Sequence, residues 1–172
     1  KSVVFTMDPP ISVNINPPAQ IDCVNTQITL NATSSVYQPG ATFLWTSSGG
    51  GNIVSGANTL TPTVNNGGIY TLTITSPTLS GCTQQASVSV IKDNTPPTIS
   101  VSATQLKICK GSSVTLTATG ASTYSWTGLP GNGSSQTVSP TSTTTYTVTG
   151  TGANGCSATG AATVTITIVP EI

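Results

Sequence analysis

Apolar and polar positions alternate with period two along most of this chain. Val114, Leu116 and Ala118 are separated by threonines, and so are Tyr146 and Val148, and Val164, Ile166 and Ile168; Tyr124 and Trp126 flank a serine. The first half shows the same pattern at Ile28, Leu30 and Ala32, at Phe43 and Trp45, at Tyr70, Leu72 and Ile74, and at Val88 and Val90. Successive side chains of a strand point to opposite faces, so this alternation predicts strands buried on one face and wet on the other. No stretch carries helical spacing. Short strands separated by turns rich in Gly, Asn, Ser and Pro predict an all-β sandwich or barrel.

The pattern occurs twice. Residues 23–33 (CVNTQITLNAT) align with 109–119 (CKGSSVTLTAT), 86 residues apart, and each is followed in order by a Trp, a Tyr and a second Cys: Trp45, Tyr70, Cys82, then Trp126, Tyr146, Cys156. A double proline precedes each copy, at Pro9-Pro10 and Pro96-Pro97, and 1–8 (KSVVFTMD) resembles the tail 87–93 (SVSVIKD). Self-similarity at a fixed period signals a modular array. The expected organisation is residues 1–8 as the last strand of a preceding module or a free donor strand, 9–93 as module 1 and 94–172 as module 2. Adjacent prolines favour extended, semi-rigid linkers, so the modules are expected in a rod.

Residue identities narrow the fold. A Trp on the third main strand and a Tyr at the start of a later one form the immunoglobulin-like core pattern. Leu30, Trp45 and Leu72 are the expected central pin of module 1, and Leu116, Trp126 and Val148 that of module 2. Tyr70 and Tyr146 stand two residues before the last member of each pin, at the tyrosine-corner position. The prediction is two tandem immunoglobulin-like β-sandwiches with aliphatic residues where the usual buried cysteine pair would sit.

Composition then excludes partners and chemistry. Four Lys and no Arg balance three Asp and one Glu, for zero net charge. Nucleic acid requires many phosphate-neutralising groups, and an anionic membrane surface requires a basic cluster. No apolar run approaches the ~18 residues of a spanning helix, and the first residues are too short an apolar stretch for a secretion signal. Ser and Thr, about a third of the chain, take the place of charge on the outer faces; Thr suits a strand while its hydroxyl meets water. With no His, no Arg and no paired acids, no group is positioned for general acid–base work, and no cofactor is expected.

The four cysteines are the one chemical signal. In repeated positions of a His-free chain, Cys23, Cys82, Cys109 and Cys156 read as disulfides of an oxidising compartment rather than as a zinc site. Two Cys per module predict Cys23–Cys82 and Cys109–Cys156. Against this, the two positions fall at opposite ends of a sandwich, roughly 20 Å apart for six or seven strand residues, while a disulfide tolerates only about 4.4–6.8 Å between Cα atoms. A Cys23–Cys156 pair across the module junction, with Cys82 and Cys109 left for further neighbours, therefore stays open. Asp8, Asp22, Asp93 and Glu171 fall near module junctions, but one or two carboxylates per junction fall short of calcium's needs and read as turn formers; no metal is expected. Asn31-Ala32-Thr33 and Asn132-Gly133-Ser134 fit the N-glycosylation pattern as chance matches.

The elements Cys-x-Gly, Leu-Thr-Ala, Trp, Thr-Tyr-x-Val and Asn-Gly-Cys run through nearly all of module 2, and module 1 matches more loosely, with Val24-Asn25-Thr26 in place of Lys110-Gly111-Ser112. In these residues the chain resembles the Ig-like and PKD-like repeats of large Bacteroidota surface adhesins, typically exported by type IX secretion. The resemblance implies a non-catalytic extracellular stalk or filament segment at the cell surface, used for attachment or surface motility. Its partners would be neighbouring modules or identical subunits, and surface glycans or other cells at a distant tip. A second reading is a self-polymerising fibre subunit joined by disulfides or by strand addition through Val3, Val4, Phe5 and Thr6, an apolar edge with little charge to blunt it. A third, an accessory carbohydrate-binding module, is opposed by the scarcity of aromatics: eight in all, most at core positions.

Overall fold

A computed structural model describes residues 10–77 and 82–167. The strand-addition candidates Val3, Val4, Phe5 and Thr6, and the carboxylates Asp8 and Glu171, lie outside the described residues. The chain divides into two compact units, Lys1–Asp93 and Asn94–Ile172. Every regular element among the described residues is a strand.

Unit 1 carries β1 (Ile28–Thr29), β2 (Thr42–Ser48), β3 (Ile53–Ser55), β4 (Thr63–Val64), β5 (Gly68–Thr75) and β6 (Thr83–Val90). They form two antiparallel sheets, ordered β1-β4-β3 and β2-β5-β6. β1 is short, but Leu30 N–H and Ala32 N–H continue the edge by donating to the carbonyls of Pro62 and Leu60, at 2.9 Å each. Beyond β6, Lys92 makes a parallel bridge with Ile21.

Unit 2 carries β7 (Ser100–Ala103), β8 (Lys107–Cys109), β9 (Val114–Thr119), β10 (Thr123–Trp126), β11 (Ser135–Val138), β12 (Thr144–Thr151) and β13 (Ser157–Thr167). One sheet is ordered β11-β9-β7, the other β10-β12-β13-β8. The β8–β13 pairing is parallel; all others in the unit are antiparallel.

Each unit is an immunoglobulin-like β-sandwich. The Trp-bearing strand, the Tyr-bearing strand and the last long strand make one sheet, while the strand after the first Cys pairs across the other sheet with the strand before the Tyr. The apolar halves of the alternation meet between the sheets. In unit 1, Leu30, Trp45, Val64, Tyr70, Leu72, Ile74 and Val90 are buried in one cluster; in unit 2, Val114, Leu116, Trp126, Tyr146, Val148 and Val164 are buried in another. Trp45 sits opposite Leu72 in the β2–β5 register and Trp126 opposite Val148 in β10–β12. Both indoles are satisfied as well as buried: Trp45 Nε1 donates to Thr59 O at 2.8 Å and Trp126 Nε1 to Gly133 O at 2.9 Å. This closes the polar account that a buried indole opens.

The segment between β2 and β5, which carries β3 and β4, is tied at both ends to Tyr70, whose ring is fully buried. Its hydroxyl donates to Asn66 O at 2.6 Å and accepts from Asn52 N–H at 2.9 Å. Tyr70→Phe keeps the ring and strips both bonds, leaving a backbone donor and acceptor short of a partner. The expected loss is about 1–3 kcal/mol of unit stability, read as a lower midpoint in urea with an unchanged slope.

Candidate functional site

The sandwich frame fixes where reactive groups lie. Cys82 immediately precedes β6, and its carbonyl accepts from Ser76 N–H at 3.0 Å. Cys23 lies at the other end of that strand, two residues past the Ile21 that bridges Lys92. The eight residues of β6 span roughly 27 Å at about 3.4 Å each. Unit 2 repeats this: Cys156 immediately precedes the eleven-residue β13, whereas Cys109 is in register with Thr167 at its far end.

Cys82 and Cys109 are free, exposed thiols, whereas Cys23 and Cys156 are disulfide-bonded. The expectation of a disulfide within each module is therefore corrected. Neither Cys23–Cys82 nor Cys109–Cys156 forms, because a full strand length separates the members of each pair, far beyond the reach of a disulfide. Within this chain the reading of all four cysteines as disulfides is corrected with it: Cys82 and Cys109, the two that the open alternative left for further neighbours, are the free ones.

Two local devices present these cysteines. Asp22 Oδ1 accepts from Val24 N–H at 2.9 Å and from Asn25 N–H at 2.6 Å, and Asp22 N–H donates to Asn25 O at 3.0 Å, so the turn holding Cys23 is tied to its own carboxylate. Cys109 ends β8, and its carbonyl accepts from Ser112 N–H at 3.0 Å across a turn that Gly111 completes at φ +76°.

The hydrogen bond from Asn25 N–H, then that from Val24 N–H, holds the Asp22 carboxyl below the ordinary value of 3.8. A carboxyl whose folded pKa is depressed contributes stability that is present above its unfolded value and lost as pH falls through the folded one. The stability difference between the wild type and Asp22→Asn, which keeps an acceptor oxygen but no charge, is expected to be constant at neutral pH and to shrink below pH 3.8. Parallel urea titrations of the two proteins across that range measure it.

The wet faces are coated with hydroxyls. On β2-β5-β6, Thr42, Thr75 and Thr83 lie in one cross-strand row and Thr46, Thr71 and Ser87 in another. Rungs are bonded to each other: Thr71 Oγ1 to Ser87 Oγ at 2.8 Å, Gln85 Nε2 to Thr73 Oγ1 at 2.9 Å, and in unit 2 Thr145 to Thr163 and Thr151 to Ser157, each at 2.9 Å. Such pairs stabilise a sheet from its solvated side. Tyr37 and Phe43 stack edge to face with centroids 5.0 Å apart. The alternation placed Phe43 but not Tyr37, which sits outside the alternating strands, so periodicity carries no signal for the pair. Among the described residues no group of three or more His, Cys, Asp or Glu is placed to hold a metal ion, and no helix is long and apolar enough to cross a membrane.

No protein-family profile and no curated protein matches the chain. Solved structures do. The amphioxus IgVJ-C2 molecule is 12% identical over 87% of this chain and 98% of its own, with a TM-score of 0.37. Murine CEACAM1b is 16% identical over 93% and 100%, with a TM-score of 0.36. The fibronectin(III)-like modules of Clostridium thermocellum CbhA are 12% identical over 83% and 86%, with a TM-score of 0.39. Likenesses this distant assign no function. What the chain itself establishes is a pair of Ig-like repeat modules whose distinctive surface chemistry is a thiol in each module and rows of hydroxyls.

Proposed function

We propose that this chain is a non-catalytic segment of an extracellular bacterial surface adhesin or filament, acting as a stiff stalk or spacer for attachment or surface motility. The observation that carries the reading is the repetition itself: one sandwich, with the same Trp-centred core and the same two cysteine positions, occurs twice at a period of 86 residues. Repetition of a unit that has its own core extends a molecule without adding a new active surface. Three further features support it. The outer faces carry hydroxyls in place of charge. Two cysteines are oxidised, as suits a compartment outside the cytosol. The chain lacks His and Arg altogether, which leaves little with which to build a catalytic site.

The resemblance to Bacteroidota adhesin repeats in the Cys-x-Gly and Asn-Gly-Cys elements supplies the bacterial, secreted setting of the proposal. The decisive measurement is the size of the native polypeptide on a reducing denaturing gel, with an antibody raised against this segment. A band of several hundred kilodaltons, accessible to protease added to intact cells, is the expected result. A reduced band near 17.2 kDa overturns the stalk reading.

A further inference from the structure

The internal repeat lets each cysteine be compared with its own counterpart. Cys109 occupies the position in module 2 that Cys23 occupies in module 1, seven residues before the buried Leu of the pin; Cys82 and Cys156 are likewise equivalent, each directly before the long last strand. In both equivalent pairs, one member is disulfide-bonded and the other is a free, exposed thiol. The bonded set holds one first-position cysteine, Cys23, and one second-position cysteine, Cys156. The free set holds one of each as well, Cys109 and Cys82.

We propose that Cys109 and Cys82 are linking thiols, each forming a disulfide with the complementary cysteine of a further repeat, first position to second. Within a population of this chain, the partner is a second copy: Cys109 of one molecule with Cys82 of the next. A position that carries a disulfide in one repeat and a bare thiol in the other is a bonding position whose partner lies outside the chain. The two thiols belong to different modules, 27 residues apart in sequence, and occupy different positions of the repeat, so the contact is heterologous. Each copy that joins brings an unused Cys82 or Cys109 with it, and the linkage propagates as an open chain rather than closing as a symmetric dimer.

The step balances as thiol–disulfide exchange. A small-molecule disulfide such as oxidised glutathione accepts two electrons; its S–S bond breaks as the Cys109–Cys82 S–S bond forms through a mixed disulfide, and the two protons leave with two glutathione thiols.

The test uses the full chain in a glutathione redox buffer, quenched with an alkylating agent and run on a non-reducing gel. The expected result is a ladder at multiples of 17.2 kDa that collapses on reduction. Cys82→Ser and Cys109→Ser, each alone, are expected to remain monomeric. An equimolar mixture of the two supplies one free Cys109 and one free Cys82, and is expected to give a disulfide-linked dimer and nothing larger. The dimer yield of the mixture should exceed that of either variant alone by at least about tenfold, the ratio that a pairing preference of about 1.4 kcal/mol produces. Cys82→Ala and Cys109→Ala repeat the comparison without a new hydroxyl. A wild-type chain that stays monomeric overturns the proposal. So does a single variant that dimerises as readily as the mixture, since that is indiscriminate oxidation of surface thiols.

Discussion

Trp45→Ala is expected to unfold the first module and leave the second folded. The indole is 2% exposed at the centre of the unit 1 core, opposite Leu72 and among Leu30, Tyr70 and Ile74. Removing it costs about 3–5 kcal/mol in lost burial and in the cavity left behind. Thr59 O also loses the donor that satisfied it, which adds about 1–3 kcal/mol if water does not reach it. A module of this size has a total stability on the order of 4–12 kcal/mol, so the substitution removes most of it. Amide exchange separates the two units: protection across Tyr70–Ile74 should collapse, while the amides around Tyr146 and Val148 keep wild-type protection. The two cores share no residue, and Trp126→Ala should give the mirror result. Equal loss of protection in both units after either substitution would show that the modules fold as one.

Gly120→Ala should destabilise the second module by about 2–5 kcal/mol, a large effect for one methyl group. Gly120 has φ +101° directly after β9. An L-residue placed there incurs about 1–2 kcal/mol of backbone strain. The added Cβ would also run into the carbonyl group of Thr98, which belongs to the backbone leading into β7. No side-chain rotation relieves that clash. Either β7 shifts away from β9, losing the Ser100–Thr119 end of their register, or the turn after β9 opens, and overpacking of this kind costs about 1–3 kcal/mol more. Gly128→Ala is the matched control. It also has positive φ, +72°, but a Cβ there meets nothing within 4 Å, so only the conformational cost of about 1–2 kcal/mol is expected. Thermal unfolding of the two variants side by side measures the difference. Equal shifts would mean that the approach of Thr98 to Gly120 is not rigid.

Much of this architecture is legible in the chain because it is local. Period-two alternation is a property of consecutive residues, and β5, β9 and β12 each show it as alternating buried and partly buried positions. Trp126 stands between Ser125 and Thr127 and so has one face on which to hide; Trp45, between Leu44 and Thr46, takes the inner face while Leu44 is left exposed. The immunoglobulin-like sheet order follows from spacing once Trp and Tyr mark their strands. Less legible were the ends of elements. Leu30 and Ala32 follow the alternation, yet β1 covers only Ile28–Thr29, because the chain beyond it bonds irregularly to Pro62 and Leu60. The tie from Tyr70 to Asn52 and Asn66 was only half visible: a tyrosine corner anticipates a backbone acceptor upstream, but which loop residues meet the hydroxyl depends on how 46–68 folds.

The sequence by itself determined that this protein is an all-β repeat of Ig-like modules, with alternating residues dividing each strand between a core and a hydroxyl-rich face. It also determined that almost nothing in the chain is equipped for acid–base chemistry, since composition alone excludes what is absent. Only the tertiary structure decided the states of the cysteines. Two cysteines per module suggest a pair by counting, but a disulfide answers to distance, and β6 and β13 hold the members of each such pair a strand length apart. The parallel pairing of β8 with β13 and the close approach of Gly120 to Thr98 were decided in the same way. Each joins residues whose separation in space is set by how sheets stack and strands cross over, which no local pattern of residues encodes.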